Sequence, residues 1–336
     1  MNAFTQTILQ WYAEFGRDLP WRRTRDPYPV WLSEIILQQT RVVQGTAYWH
    51  RFLERFPSVE MLADASEDEV LRLWEGLGYY SRARNLHAAS KQIVARGHFP
   101  DTLDGIRALK GVGDYTAAAI GSICFGLPAA VLDGNVYRVL ARYFGIATPV
   151  GSPQAQKEFR ALAQQLLPAD EPAAFNQGMM DFGATQCTPR SPDCLHCPLQ
   201  KGCNAFRTGR TSLLPVKKAP AAVKEQRLTY IYLRVNGCTA IRRRGPGDIW
   251  QGLWEPVATD HRSMPVVTSC PALTGHLTLL RSGVKHQLTH RRILADFYLA
   301  ELPSRPELPE GYRWIRETEL DRYAKPRLFE LLLESL

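Results

Sequence analysis

No apolar run in this 336-residue chain approaches the length of a membrane span, which is ~20 residues. The first ten residues also lack the basic start and apolar core of a secretory signal. The expectation is a protein of the cytosol with no membrane partner. No internal repeat and no low-complexity segment is visible. Acid falls short of base, with 33 Asp plus Glu against 41 Lys plus Arg, and the formal charge of +8 favours a polyanionic partner such as nucleic acid. Paired cysteines are missing as well. Seven cysteines form an odd set, and four of them crowd into seventeen positions, a pattern that suits metal ligation rather than a disulfide framework. Cys124, Cys238 and Cys270 stand apart and read as small core residues.

The length exceeds one ordinary domain, so two are expected. Helical periodicity runs through Phe4 to Phe15, Trp31 to Phe56, Asp68 to Leu73, Arg82 to Arg96, Tyr115 to Phe125, Val136 to Phe144 and Gln154 to Leu167. Gly and Pro punctuate these stretches, as at Gly76, Gly78, Pro100, Gly126 and Pro153. Residues 1–207 therefore read as an all-α domain. The basic stretch 208–226 has no periodic apolar face and reads as a linker. Residues 227–336 read as a smaller α+β domain: Leu228 to Val235 and Thr239 to Arg243 flank Asn236-Gly237, a pair that tolerates the positive φ of a tight hairpin. Strands are also expected at Leu277 to Leu280 and Ile293 to Leu299, and Pro326 opens a last helix ending near Leu336.

Cys187, Cys194, Cys197 and Cys203 are separated by six, two and five residues. Four thiolates at that spacing suit either an iron-sulfur cube or a zinc ion. Upstream, Lys110-Gly111-Val112-Gly113-Asp114 joins two helical stretches at about 103–125, a helix-hairpin-helix pattern. Gly111 and Gly113 permit a sharp turn, and the backbone N–H groups of Gly111, Val112 and Gly113 at a helix start favour a phosphate. Asp114 reads as a cap whose charge opposes that phosphate.

Two carboxylates stand out. Glu34 lies in the nearly apolar run Val30 to Leu37, where desolvation raises its pKa and keeps a proton available. Taken alone, it also reads as an acid in the first turn of a helix. Asp133 precedes the helix at Val136, where an N-cap receives N–H bonds and stays anionic. A protonated acid facing a fixed anion is what glycosidic bond cleavage needs.

The motifs LPWR (Leu19 to Arg22), WLSEIILQQT (Trp31 to Thr40), GLGYYSRARNLH (Gly76 to His87), LKGVGDYTAAAI (Leu109 to Ile120), VLDGNVYRVLAR (Val131 to Arg142) and NQGMMDFGATQC (Asn176 to Cys187), with the four spaced cysteines, closely resemble adenine DNA glycosylases of the MutY family from about residue 15 to 205. The resemblance implies an all-α helix-hairpin-helix glycosylase domain with a [4Fe-4S] cluster in loop 187–203, followed by a Nudix-like domain. It implies a monomer acting on double-stranded DNA containing A:8-oxoguanine or A:G. Glu34 would be the general acid at the adenine ring and Asp133 the stabiliser of an oxocarbenium-like sugar, with a transient covalent adduct as one route. Asn135 and Tyr115 would orient that pair. Trp21, Arg22 and Gln177 would line the adenine pocket, while Gln39 and Tyr80 would enter the base stack. In the endonuclease III branch a lysine nucleophile stands at the position of Tyr115, so the expected chemistry is base release without efficient strand cleavage.

In the second domain, Asp248 to Pro256 resembles the family's Nudix-like fold, and the acidic Nudix box is missing. The family's Phe-Ser-His lesion-reading loop aligns with Leu288, Thr289 and His290, which keeps an apolar plug and a hydroxyl and loses aromatic stacking. Two other readings compete. One is an endonuclease III-like glycosylase-lyase, which Tyr115 and the added domain oppose. The other is a non-catalytic damage-binding scaffold, which the presence of both Glu34 and Asp133 opposes.

Overall fold

The structure is a computed structural model that describes residues 2–218, 223–260 and 276–336. Cys270 lies outside the described residues. The helices are α1 (Ala3–Phe15), α2 (Pro27–Ile36), α3 (Val42–Arg55), α4 (Val59–Asp64), α5 (Glu67–Leu73), α6 (Ser81–Arg96), α7 (Leu103–Arg107), α8 (Asp114–Phe125), α9 (Gly134–Phe144), α10 (Pro153–Leu166), α11 (Pro172–Asp181) and the short α12 (Asn204–Arg207). Several start at a side-chain cap: Asn2 accepts the Thr5 N–H at 2.8 Å, and Asp26, Ser66, Thr102 and Ser152 act likewise. The single helix expected from Trp31 to Phe56 is two. Gln39 adopts φ 57°, a left-handed conformation that no α-helix accommodates, and the chain turns there between α2 and α3.

Two compact units divide the chain, Met1–Ala63 with Ala88–Ala219 and Asp64–His87 with Pro220–Leu336. The first is helical. Its core packs Phe4, Ile8 and Trp11 of α1 with Val139 of α9, Phe159 of α10 and Met179 of α11. One buried amide fixes the loop between α8 and α9: Asn176 donates to Ser122 Oγ (2.9 Å) and the Ala129 carbonyl (2.8 Å) and accepts from the Val131 N–H (3.1 Å). Those bonds satisfy the backbone that leads into Asp133.

The second unit holds two sheets, β4-β1-β6-β5 and β3-β2-β7, built from β1 (Lys224–Arg234), β2 (Cys238–Arg243), β3 (Trp254–Glu255), β4 (Val257–Asp260), β5 (Leu277–Gln287), β6 (Arg291–Glu301) and β7 (Tyr312–Arg316). The Asn236-Gly237 turn forms as expected, with φ 48° and 70° and a reciprocal Val235–Cys238 pair at 3.0 and 2.9 Å. Beyond that pair β1 and β2 part into different sheets. A helix α13 (Arg327–Leu333) closes the unit, with Pro326 as its N-cap, and it stops three residues short of Leu336. The linker expected over 208–226 is shorter. Leu214 is buried, the Val150 N–H bonds the Val216 carbonyl at 2.8 Å, and β1 already begins at Lys224.

Residues 64–87, expected within the domain 1–207, pack instead with the C-terminal segment. Glu75 accepts the Lys325 N–H at 2.7 Å, Arg84 donates to the Gln251 carbonyl at 2.5 Å, and Arg243 meets Glu67 at 2.8 Å. Sequence periodicity is blind to such a division, because it reports which face of a helix is apolar and not which partner covers it.

Asn176→Ala should lower the stability of the first unit by about 2–3 kcal/mol, because it strands a buried backbone donor and a carbonyl. Urea unfolding followed by tryptophan fluorescence checks this; a midpoint matching the parent would show that the loop does not depend on the amide.

Candidate active site

Helix α2 buries seven consecutive residues, Val30 to Ile36, among them Glu34. Glu34 sits in the last turn of that helix, not the first, so the helix terminus disfavours its charge rather than supporting it. Burial pushes its carboxyl up to about 7. The hydrogen bond from Tyr115 and the charge of Arg22 oppose that rise, and the charge of Asp133 adds to it. Helix α8 packs against α2 and supplies Tyr115, whose hydroxyl also lies 3.2 Å from Met180 Sδ. Burial and both carboxylates push the Tyr115 phenol well above its ordinary value, so it stays a neutral donor.

Asp133 is the N-cap of α9, as expected. It receives the N–H groups of Asn135 (2.9 Å) and Val136 (2.8 Å) on one oxygen and the Asn135 side-chain amide (2.8 Å) on the other. Burial still raises its carboxyl above the ordinary carboxylate value, against the pull of those three N–H donors and Arg138. The two acids are thus not simply high and low. They differ in what they receive: three N–H bonds serve the anion of Asp133, and one phenol O–H serves Glu34.

Both acids line one cavity of about 820 Å³, within the ordinary range for a small-molecule site. Trp21, Arg22, Tyr115, Asn135 and Gln177 line it too, and so does Gln39, which was expected in the base stack. Gln177 Oε1 accepts the Tyr12 hydroxyl at 2.7 Å, which leaves its NH₂ group as the donor for a cavity occupant. Arg22 is gripped by Asp181, with Nη1 to Oδ2 at 2.6 Å and Nη2 to Oδ1 at 2.9 Å. The fully buried Asp181 also takes three N–H bonds from Arg17. Burial alone would raise the Asp181 carboxyl; the two guanidiniums hold it below the usual range.

Sequence reasoning missed Tyr12, Asp181 and Arg138. Arg138 donates to Asn135 Oδ1 (2.6 Å), the Gly183 carbonyl (2.6 Å) and the Cys187 carbonyl (2.8 Å). Its spacing three residues beyond Asn135 on one helix was the available signal. Gly183 lies in a π-helical turn, Phe182–Gln186, and a Cβ there would stand 2.6 Å from that of Asn135.

The remaining expectations divide. Val112 spends its N–H on the Leu109 carbonyl at 3.1 Å and its side chain is buried, so it is not free to hold a phosphate. Gly111 and Gly113 are exposed, Gly111 has φ 78°, and open space surrounds Gly113. Gly113, not Asp114, is the N-cap of α8. Tyr80 is buried, with its hydroxyl directed at the Lys325 carbonyl (3.5 Å), and so is not placed to enter a base stack. Its neighbour Tyr79 is 46% exposed, takes φ 49°, and shares a 2.6 Å hydrogen bond with Thr289. Leu288, Thr289 and His290 form the tight turn between β5 and β6, closed by the Leu288 N–H to the Arg291 carbonyl at 2.8 Å; Thr289 and His290 are exposed and Leu288 half-buried. Leu288, Thr289, His290, Tyr79 and Tyr80 belong to the second unit.

Cys187, Cys194, Cys197 and Cys203 carry free thiols. Burial pushes the Cys197 thiol up to about 11, and the nearness of the other three adds to the rise. Cys187 Sγ accepts from Arg142 at 3.4 Å. Among the described residues no group of three His, Cys, Asp or Glu side chains is arranged to hold a metal ion. The donor set itself, four thiols in mutual electrostatic range with a guanidinium on one sulfur, fits an anionic metal-thiolate group. Of the other cysteines, Cys238 is buried against Arg305 (2.9 Å) and Cys124 is half-buried.

Residues 32–168 match the family model of the HhH-GPD superfamily of base excision DNA repair proteins, and residues 229–335 match that of the NUDIX domain. The chain is 36% identical over 254 residues to the adenine DNA glycosylase of Buchnera aphidicola subsp. Acyrthosiphon pisum, covering 75% of this chain and 73% of that protein. It is 43% identical over 229 residues to the adenine DNA glycosylase of Rattus norvegicus, covering 64% of this chain and only 44% of that protein. A thermostable thymine-DNA glycosylase aligns with a TM-score of 0.56 at 32% identity over 61% of this chain and 95% of that one. Endonuclease III in a DNA complex, at TM-score 0.53 and 22% identity over 61% of this chain and 94% of its own, shares the helical fold.

Because the Glu34 carboxyl moves from 4.5 to about 7 on folding, the folded chain holds the extra proton across that window and loses stability as pH rises through it. Glu34→Gln removes the titration. The melting temperature of the variant relative to the parent should climb from pH 4.5 to about 7 and then level off; a difference independent of pH would show that Glu34 is not desolvated.

Proposed function

The chain belongs to the MutY family of adenine DNA glycosylases, and on that footing we propose that it is a base-excision enzyme that flips adenine out of duplex DNA and releases it, with 8-oxoguanine or guanine as the opposing base. The observation that carries this reading is a single cavity lined by two acids in unlike environments, Glu34 and Asp133. Glu34 gives its proton to the departing adenine ring as the bond from the sugar to the base breaks, the bonding pair leaving with the base. The sugar becomes oxocarbenium-like, and the Asp133 carboxylate, held in place by Asn135 and Val136, stabilises the developing positive charge. Water then adds to the sugar carbon, and the proton it sheds passes to solvent. Tyr115 holds the Glu34 carboxyl, while Arg22 and the amide NH₂ of Gln177 contact the ring from the cavity wall.

The two hairpin glycines bind a backbone phosphate. Cys187, Cys194, Cys197 and Cys203 would hold a [4Fe-4S] cluster, whose contribution is to fix the loop 187–203. Thr289, Leu288 and His290 read the opposing base, and Tyr79, in place of Tyr80, supplies the exposed ring. A lyase step requires an amine at the sugar, and among the described residues the cavity lining contains arginines but no lysine. Base release without efficient strand cleavage follows.

Single-turnover release of adenine from an A:8-oxoguanine duplex, with and without alkali, tests the activity. Glu34→Gln should cut the rate by about 10²–10⁴-fold while duplex binding persists, since that is what a positioned acid contributes and neighbouring contacts are kept. In the parent, the rate should fall as pH rises through about 7, where Glu34 gives up its proton. A flat profile, or full activity in the variant, would remove Glu34 from the mechanism.

Replacing Leu288 and Thr289 together by Ala should reduce the preference for A:8-oxoguanine over A:G by roughly tenfold or more, the worth of one lost hydrogen bond and an apolar plug. Competition between the two duplexes measures it; an unchanged ratio would locate lesion reading elsewhere.

A further inference from the structure

Asp114 stands at the first position of α8, directly after the glycine hairpin, where a bare carboxylate would repel the phosphate the hairpin binds. It is not bare. Arg107 Nε meets its Oδ1 at 2.8 Å, and Arg160, reaching over from α10, meets its Oδ2 with Nη2 at 2.6 Å. Arg107 is shared further with Asp104 at 3.0 Å, so its charge is divided between two carboxylates. Among the described residues Asp114 is the ionic partner of Arg160, and that contact engages one of its five N–H donors.

All three side chains of this triad are close to half exposed, at 46% for Arg107, 41% for Asp114 and 45% for Arg160. Ion pairs at that exposure contribute little to stability, so holding the fold together does not account for the arrangement. Its location does. Arg107, Gly113, Asp114 and Arg160 all line the rim of the cavity that holds Glu34 and Asp133. A nucleotide entering that cavity brings its flanking phosphodiesters past this rim.

We propose that Arg160, held by Asp114, is a DNA-backbone contact that adds a guanidinium beside the glycine hairpin, so that one phosphodiester is bound jointly by hairpin N–H groups and that cation. In this arrangement Asp114 is a positioning residue. Its carboxylate fixes the Arg160 fork beside the hairpin, and the two arginines cancel the repulsion it would otherwise exert. The ligand class is a phosphodiester of duplex DNA. This inference rests on the DNA-binding half of the function proposed above and not on base release.

The test is binding of the full chain to an undamaged duplex, followed by fluorescence anisotropy between 50 and 200 mM KCl, conditions set by the strength of phosphate contacts. Arg160→Gln should reduce the slope of log K against log salt by about 0.9, the value for one lost phosphate contact. Arg160→Lys, which keeps the charge, should restore most of that slope. In the Asp114→Ala background the Arg160→Gln change should cost less than half of what it costs in the parent, because the guanidinium is no longer held.

A parental slope in Arg160→Gln would overturn the phosphate contact. The full Arg160→Gln loss in both backgrounds would overturn the positioning role of Asp114. Thermal melting of each variant confirms that the fold is kept, and the salt slope is a readout that a purely structural arginine would not move. Because the duplex carries no lesion, failure of adenine release would refute the enzymatic reading and leave this result standing.

Discussion

Burial of two carboxyl groups in one cavity is the constraint on which the rest of the site depends. Desolvation raises both, and the charge of Asp133 raises Glu34 further, so the pair cannot be doubly ionised at low cost. What breaks the symmetry is the supply of donors. The first turn of α9 presents two backbone N–H groups and an amide to Asp133, whereas Glu34, at the far end of α2, meets a helix C-terminus and a phenol. The backbone therefore decides which acid keeps the proton. A sugar growing positive and a base growing negative call for that same asymmetry.

Cations complete the balance. Arg22 faces the cavity, and its charge lowers the Glu34 carboxyl against the larger rise from burial. Asp181 fixes its position by taking both Nη groups of Arg22 while also binding Arg17. Truncating either guanidinium would leave the fully buried Asp181 short of partners, a larger loss than the removed contact itself. The site is thus framed by a wholly buried anion whose function is to hold a cation in place. The same logic recurs at the surface, where Asp114 holds Arg160 and Arg107 beside the hairpin.

Much of this was legible in the sequence, and the failures have identifiable causes. Glu34 stands out because an acid in an apolar run is rare, and Asp133 because Asp-Gly-Asn before an apolar period is a helix start. The hairpin at Asn236-Gly237 follows from two residues that tolerate positive φ. The break at Gln39 was not legible, since glutamine carries no turn signal and its left-handed φ is imposed by the fold around it. The choice between Tyr79 and Tyr80 was likewise invisible: adjacent identical residues differ only in which one the β1–β7 unit buries. Asp181 and Tyr12 act through partners more than 150 positions away in the chain, a kind of pairing that periodicity does not encode.

Arg138 shows how distant parts of the first unit are made to agree. Its single guanidinium binds the carbonyl of Cys187, the carbonyl of Gly183 and the side chain of Asn135, which in turn donates to Asp133. With Asn135 Oδ1 fixed by Arg138, the amide has one orientation open to it, NH₂ toward Asp133. The glycine at position 183 allows the π-helical turn to come close enough for this, because any Cβ there would collide with Asn135. The backbone of the cysteine loop is therefore a structural support for the carboxylate: displacing Cys187 moves its carbonyl, and the guanidinium and amide that hold Asp133 must follow. Whatever the four thiols bind, the loop's conformation is coupled to the anion in the cavity through three hydrogen-bonded links, without any electron or proton having to pass between them.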